Sequence, residues 1–551
     1  MNILNIFSLI GGLALFLYGM HVLGESLAKL SGGKLESILA KMTDNPLKGV
    51  VLGAGATAVI QSSSATTVMV VGFVNSGIMQ LKQAVGIIMG ANVGTTITSW
   101  ILSLSGIQSD NLLVMLLKPQ AFAPVLAMIG VVFILSGKSE RRTEIGSILL
   151  GFGVLMIGME TMSTAMKPLK DIPAFTKLFL TFSNPIIGMI AGTLLTAVIQ
   201  SSSASVGILQ ALCLTGTIPY SAVLPIIMGQ NIGTCVTALL SSLGATTNAK
   251  RAAFLHLYFN IIGTAIFMAG FYILHAFFPF SFLVQTATPA GIAFVHTCFN
   301  FFATLILLPF STQLVTLATI SVKEKAEDAT QILPEQLSPL AAMDKRFLDN
   351  PSFALMQCKK ATGAMLSLAQ EAAYETLSLI LDYKPKKAKY IEELEDYVDR
   401  YETEINDYMF QISLYSLTEA DSKELSTLQH QVGNMERIAD YSMGIAKNAG
   451  KMHKKELVFS KDARQNLEQY RDILHSLIRH TGNYWKSPDP AIAGEAFQLA
   501  HELKRIEKQI LKDHKKRLKK GKCSVDMGFI LSDILTGFQK VAEHHLQIMM
   551  Q

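Results

Sequence analysis

Two strings of unusual composition recur in this chain. Thr57–Ala65 reads T-A-V-I-Q-S-S-S-A, and Thr196–Ala204 repeats it letter for letter 139 positions later. Serine hydroxyls and the glutamine amide both donate and accept hydrogen bonds. In apolar sequence such groups are costly unless they find partners or line a pathway. Gln61, Ser62, Ser63 and Ser64, with Gln200, Ser201, Ser202 and Ser203, are therefore candidates for holding a polar solute. A helix broken at each string would leave free N–H groups at one half-helix start, which suit an oxyanion. It would leave free carbonyls at another half-helix end, which suit a small cation such as sodium. The competing explanation is that small serines only allow close helix packing. Identical polar triplets in two places argue against it.

The same offset relates Ile87–Thr95 (I-I-M-G-A-N-V-G-T) to Ile226–Thr234 (I-I-M-G-Q-N-I-G-T), Asn45-Pro46 to Asn184-Pro185, and Gly12–Met20 to Gly151–Met159. A duplicated unit of about 139 residues follows. Asn92 and Thr95, with Asn231 and Thr234, offer oxygen ligands of the kind a hard cation takes; interhelical hydrogen bonding is the alternative. Glu160 lies within an apolar helix and is a candidate proton or cation site, with pairing near the interface as the competing reading. His256, His275 and His296 lack ligand spacing and read as packing or interfacial residues. No basic residue sits in either Q-S-S-S string. A transported anion would be held by N–H and hydroxyl donors, with cotransported cations offsetting its charge. No nucleophile–base constellation or P-loop is present, so neither an enzyme nor ATP-driven chemistry is expected.

These residues must be positioned by membrane helices. Residues 1–320 hold 14 Lys/Arg and 8 Asp/Glu, whereas 321–551 hold 33 and 34. Leu178–Ala249 and Ala252–Val322 contain no charged residue at all. Stretches that long call for lipid, because one helix spans the hydrocarbon core in about 20 residues. The net charge of +5 is modest and dispersed, which argues against nucleic acid. The five cysteines show no metal or redox spacing. The apolar N-terminus lacks the basic flank of a cleavable signal and reads as the first membrane helix.

Full spans are expected at roughly 4–27, 82–104, 120–137, 145–166, 221–243, 251–278 and 289–318. The stretches 46–76 and 185–215 carry Q-S-S-S near their middles and read as re-entrant hairpins. Each repeat then has three crossings, so the second is inverted; the alternative, hairpins that cross fully, would make the repeats parallel. The loop set that includes Lys34, Lys48 and Lys138 is richer in Lys/Arg than the set that includes Lys170 and Lys177. The positive-inside rule places the richer side in the cytoplasm. The expected organisation is a membrane transport domain at 1–320, with repeat 1 at about 1–138, repeat 2 at about 140–278 and an extra helix at about 289–318. A linker at 321–350 follows. Beyond it, helical periodicity in six stretches predicts an all-helical cytoplasmic bundle at 351–551.

The membrane part resembles the type II sodium/phosphate cotransporter family, whose hallmark is a Q-S-S-S motif in each of two inverted repeats. The resemblance covers about residues 1–318 and implies coupled movement of sodium and inorganic phosphate around the two motifs, with phosphate at the eight Q-S-S-S residues. Animal members continue the first motif with alternating Ser/Thr, whereas this chain reads Ala65-Thr66-Thr67 and Ala204-Ser205-Val206. Thr66, Thr67 and Ser205 join Asn92, Thr95, Asn231 and Thr234 as candidate sodium ligands.

The C-terminal part resembles a PhoU domain, the helical regulator associated with bacterial phosphate uptake. Glu436-Arg437-Ile438-Ala439-Asp440 is similar to that family's metal-binding motif, and carboxylates four apart share one helix face. Glu436 and Asp440 are thus candidate ligands for a divalent or transition metal. The later stretch Gln539-Lys540-Val541-Ala542-Glu543-His544 has glutamine in place of the first carboxylate. The resemblance implies a multi-pass bacterial inner-membrane protein. Expected partners are phosphate, sodium, the lipid bilayer, a second copy of the chain in a homo-oligomer and a phosphate-signalling partner of the bundle. A carrier of another anion or organic solute, and a membrane-bound phosphate sensor, are the alternatives.

Overall fold

The computed structural model describes residues 3–31, 38–39, 45–106, 118–137, 139–323, 335–521 and 523–550. It divides into two compact units, Met1–Ile332 with Asp344–Phe353, and Leu333–Met343 with Ala354–Gln551. Both are helical. Among the described residues the only β-type pairing is an isolated bridge between Pro219 and Thr286.

The membrane unit opens with α1 (Ile3–Ser31), followed by the short pair α2 (Pro46–Ile60) and α3 (Ser63–Asn75), then α4 (Leu81–Ser103) and α5 (Pro119–Ser136). The second repeat runs through α6 (Glu140–Met166), α7 (Pro173–Phe182), the short pair α8 (Pro185–Ile199) and α9 (Ser202–Cys213), then α10 (Tyr220–Ser241) and α11 (Thr247–Phe277). It closes with α12 (Pro289–Leu307) and α13 (Ser311–Ser321). Among the described residues six helical segments are long and apolar enough to cross a membrane: Ile3–Ser31, Leu81–Gly106, Glu140–Leu169, Tyr220–Ser241, Thr247–Phe277 and Pro289–Ser321. The span expected at 120–137 is α5, which is shorter at 18 residues and carries Pro124 inside it. Large apolar side chains left exposed on α1, such as Ile3, Phe7 and Ile10, form the kind of surface that lipid covers.

Each expected hairpin stretch is two helices, and the sequence explains why. Asn45 and Asn184 cap the first arms, accepting from the Leu47 N–H and from those of Ile186 and Ile187, ahead of a proline at the first helical position. The arms stop at Gln61 and Gln200, which adopt left-handed backbone (φ 58° and 59°). A left-handed residue ends a helix while its N–H still reaches back, here to the Thr57 and Thr196 carbonyls at 2.7 Å. Ser62 and Ser201 then cap the second arms, accepting from the Ala65 and Ala204 N–H groups at 3.1 and 3.2 Å. One Q-S-S-S string thus ends one helix and begins the next.

Glycines set the close approaches. A Cβ on Gly94 would stand 2.5 Å from the Ala54 carbonyl, and one on Gly233 would stand 2.5 Å from the Thr193 carbonyl, its repeat counterpart. These contacts press α4 onto α2 and α10 onto α8. Helices α1 and α6 meet through glycines too: a Cβ on Gly12 would stand 3.0 Å from the Gly158 carbonyl, and one on Gly19 would stand 2.7 Å from the Gly151 carbonyl. Gly151 and Gly158 are the repeat counterparts of Gly12 and Gly19. The pairing is reciprocal and antiparallel, as a local two-fold relation between equivalent helices requires.

The second unit contains the six expected helices: α14 (Pro351–Leu381), α15 (Pro385–Ser413), α16 (Glu419–Lys454), α17 (Lys461–Lys486), α18 (Pro490–Lys519) and α19 (Val525–Met549). Each amphipathic face turns inward, burying Ile391, Val398, Tyr401, Ile438, Leu474, Ile510 and Val541, among others. The expected linker, 321–350, is divided: Glu335–Ala342 forms a short 3-10 segment that belongs with the second unit, and Asp344–Phe353 belongs with the membrane unit.

Candidate functional site

The two Q-S-S-S breaks come together. Ser64 Oγ donates to the Gln200 carbonyl at 3.4 Å, linking the tips across 136 residues of sequence. Gln61 is held from both ends of its amide: Oε1 accepts from Thr98 Oγ1 of α4 at 2.9 Å, and Nε2 donates to the Ala58 carbonyl. Ser63, Ser202 and Ser203 are buried, Gln61, Ser62, Ser64 and Ser201 are partly buried, and Gln200 is exposed. At each tip the first N–H groups of the second arm and the last carbonyls of the first arm lie beside hydroxyls, with no charged side chain in either string. Such a site has both donors for an oxyanion and acceptors for a cation.

A brace crosses each tip. Thr57 Oγ1 donates to Thr66 Oγ1 at 3.1 Å, and Thr196 Oγ1 donates to Ser205 Oγ at 2.8 Å. Thr57 and Thr196 occupy equivalent positions, as do Thr66 and Ser205. Thr66 and Thr67 also donate to the carbonyls of Ser62 and Ser63 at 3.1 and 2.8 Å. Asn92 and Asn231 are buried and direct Nδ2 to their own helices, to Ile88 at 3.0 Å and Ile227 at 2.9 Å. Their Oδ1 atoms remain as acceptors. Thr95 and Thr234 donate to the carbonyls four residues back at 3.1 and 3.0 Å, which leaves their oxygen lone pairs for a cation.

Several polar residues around this core were not singled out by spacing. Gln210 Nε2 donates to the Ser99 and Pro289 carbonyls, each at 3.0 Å, joining α9 to α4 and α12. Ser99 Oγ and His296 Nδ1 are 2.8 Å apart. His296 and His256 each begin the pattern H-x2-F-N-x2-[G/A]-T, at His256–Thr264 and His296–Thr304, 40 residues apart. All six of these histidine, asparagine and threonine side chains are buried. Asn260 Nδ2 reaches Cys235 Sγ at 3.3 Å. Neither ring nitrogen of His256, and not Nε2 of His296, has a protein partner. The signal was a second internal repeat of period 40, which is invisible when histidines are tested only for ligand spacing.

Glu160 accepts from Thr164 Oγ1 at 3.4 Å on its own helix. Glu25 pairs with His21 and Lys29 at 3.4 and 2.9 Å along α1.

In the helical unit the acidic residues gather differently from the expected pair. Glu395 and Asp399 of α15 and Asp440 of α16 can bring one carboxylate oxygen each within 4.8 Å of one another. Glu436 instead hydrogen-bonds to Asp440, and burial followed by that bond lifts its carboxyl to about 7. Burial raises Glu395, Asp399 and Glu402 as well, with neighbouring carboxylates adding to it. Glu395, Glu436 and Asp440 line a cleft of about 500 Å³ together with Arg437 and Lys447. A divalent cation would fit the trio Glu395, Asp399 and Asp440 better than the same-helix pair Glu436 and Asp440, because the trio converges from two helices. In the later stretch Glu543 pairs with Lys540 at 2.8 Å and accepts from Gln539 at 2.9 Å, and it is held below the usual carboxylate range by Lys540.

Comparison with known proteins agrees with both halves. The Na+/Pi-cotransporter profile matches residues 15–164 and again 154–287, and the PhoU domain profile matches 363–449. YjbB of Escherichia coli K12, a protein named for inorganic phosphate export, is 24% identical over 520 residues, covering 94% of this chain and 91% of its own. The uncharacterized YqeW of Bacillus subtilis is 31% identical over 252 residues, 46% of this chain and 78% of its own. The sodium-dependent phosphate transport protein 2A of Rattus norvegicus is 36% identical over 106 residues, 19% of this chain and 16% of its own. No solved structure matches.

Proposed function

Because this chain belongs to the Na+/Pi-cotransporter family and carries a PhoU domain after its membrane part, we propose that it is a sodium-coupled secondary transporter of inorganic phosphate. The observation that carries the reading is the meeting of two equivalent broken-helix tips, tied through Ser64 and Gln200, at a place rich in N–H groups and hydroxyls. Phosphate binds there through Gln61, Ser62, Ser63 and Ser64 and their counterparts Gln200, Ser201, Ser202 and Ser203. Sodium binds at oxygens of Thr66, Thr67, Asn92, Thr95, Ser205, Asn231 and Thr234. With no cationic side chain in either string, the phosphate charge is offset by sodium, so the two ligands strengthen each other's binding reciprocally.

Alternating access follows from duplication. Two equivalent hairpins offer the cargo two equivalent routes, one from each side, when the repeats are inverted. The antiparallel, reciprocal pairing of Gly12 with Gly158 and Gly19 with Gly151 supports that inversion. The membrane is the bacterial inner membrane, with the PhoU domain on the cytoplasmic side as a regulator, and its acidic trio takes a divalent cation.

The test is labelled phosphate flux in proteoliposomes under sodium gradients of each sign, with potassium as control. Flux that follows the sodium gradient is expected, and the sign of the net movement also reads its direction. Equal flux in sodium and potassium would remove the coupling. Phosphate binding without flux would favour a sensor instead.

A further inference from the structure

Ten residues beyond the expected linker's midpoint pack back onto the membrane unit: Asp344–Phe353 belongs to it, although Leu333–Met343 and Ala354 onward do not. Asp344 caps the short turn Lys345–Phe347, its Oδ1 accepting from the Arg346 N–H at 2.9 Å. Its Oδ2 accepts from Arg346 Nη1 at 2.6 Å and from Asn75 Nδ2 at 2.5 Å. Asn75 is the last residue of α3, the arm that starts at the first Q-S-S-S tip. Asn75 Oδ1 in turn accepts from the N–H of Thr246, the cap of α11, at 2.8 Å. Arg346 Nε donates to the carbonyl of Ser241, the last residue of α10, at 2.9 Å. One short segment therefore ties the end of the first hairpin to the α10–α11 junction.

Aromatic packing reinforces the tie. Phe73 of α3, Phe347 and Phe353 form a buried trio with ring centroids 4.9 to 5.4 Å apart. Gly72 makes room for it, since a Cβ there would stand 2.7 Å from the Phe347 ring. The second repeat has no counterpart of these groups. The positions equivalent to Gly72, Phe73 and Asn75 are Ala211, Leu212 and Leu214, none of which offers a carboxamide.

We propose that Asp344–Phe353 is a strap that positions the first hairpin and slows its movement, and through which the helical unit sets the transport rate. The proposal rests on the transport reading given above. Two equivalent hairpins would otherwise face equal constraints, and the strap holds only one of them. It leads without interruption into α14, which begins at Pro351 inside the strap. Asn75, Asp344 and Arg346 are positioning residues, and Asn75 lies at the far end of α3 from the cargo groups at its start.

The test is a donor–acceptor swap in the full-length protein. N75D sets a carboxylate against the Asp344 carboxylate and opens the strap. N75D/D344N again places a donor opposite an acceptor at that pair and gives up only the bond that Asp344 Oδ2 accepts from Arg346 Nη1, which is why the return is partial. Two readouts are made: sodium-driven labelled phosphate flux in proteoliposomes, and hydrogen exchange of the α3 amides from Thr66 to Asn75. N75D is expected to raise maximal flux at least about fivefold, the order expected when a part-buried charge-assisted bond is lost. The half-saturating phosphate concentration should stay within about twofold, because the cargo groups are untouched. The α3 amides should exchange faster, and the double variant should return both readouts toward the parent. Unchanged or lower flux in N75D, or a double variant that behaves like N75D, overturns the strap. If the parent moves no phosphate at all, the transport reading fails by itself. Exchange of the α3 amides then still decides: faster in N75D and restored in the double variant supports the strap, and unchanged exchange overturns it.

Discussion

The hydroxyl brace across each tip can be taken apart one atom at a time. Thr57 and Thr66 are buried, at 1% and 0% exposure, so water does not replace a lost partner. Thr57→Val keeps the side-chain shape and removes one donor. Thr66 Oγ1 then still donates to the Ser62 carbonyl at 3.1 Å but loses the bond it accepts from Thr57, a cost of about 1 kcal/mol. Thr66→Val removes more, because it strands the buried Thr57 hydroxyl and takes one of two donors from the Ser62 carbonyl, which keeps the Thr66 backbone N–H at 3.2 Å, a cost of about 2 kcal/mol. In the double variant no hydroxyl is stranded and the Ser62 carbonyl still accepts from the Thr66 backbone N–H, so the cost should fall to about 1 kcal/mol, below that of Thr66→Val alone. The chain has two tryptophans, Trp100 in α4 and Trp485 in α17. In a Trp485→Phe background, fluorescence-monitored melting reports the membrane unit. Flux in liposomes follows the same ranking if the brace sets tip geometry for phosphate. Costs that simply add, with the double variant worse than either single, would refute the brace as the reason these hydroxyls are buried there.

Replacing Ser63 or Ser202 by Ala should lower phosphate affinity or rate about five- to 150-fold, equivalent to about 1–3 kcal/mol for a desolvated hydroxyl, while purification behaviour stays normal; flux and size-exclusion profiles check this together. Cysteines placed at Lys48 and Lys177, after removal of the native cysteines, should react with impermeant thiol reagents from opposite sides of the membrane, and labelling from one side would reject inversion. Truncation after Val322 removes both strap and bundle; sodium-dependent flux should persist and run faster than in the parent, whereas its complete loss from a monodisperse protein would make the bundle part of the transport cycle. Glu436 is raised to about 7, so its protonated form is the one folding favours. That contribution is complete below the unfolded value near 4.5 and is lost as pH rises through 7. The helical unit should thus lose about 1 kcal/mol between pH 5 and 8, a figure reduced for solvent screening of a partly exposed group. Trp485 fluorescence in a Trp100→Phe background measures it, and Glu436→Gln should flatten the slope.

Local chemistry made much of this protein legible from residue order. Charge depletion over Leu178–Ala249 and Ala252–Val322 marks a membrane part because helix length and lipid thickness are fixed quantities. Asn-Pro followed by an apolar run and then Q-S-S-S specifies a capped helix, a stop and a new cap, all within a few residues. The six amphipathic helices of the C-terminal part were readable for the same reason, since their 3.6-residue period lies in neighbouring positions. Contacts between elements had no such signature. That Ser64 meets Gln200, or that Gln61 meets Thr98, depends on how helices pack after the chain closes long loops. Carboxylate spacing on α16 suggested Glu436 with Asp440, yet the fold sets Asp440 beside Glu395 and Asp399 of α15 and leaves Glu436 as its hydrogen-bond partner. Most of the segment Asp344–Phe353, up to residue 350, reads as linker because its charges and turn are those of exposed chain. Only the tertiary structure supplies Asn75, Ser241 and Phe73 as its partners, and these come from parts of the sequence more than 100 residues away.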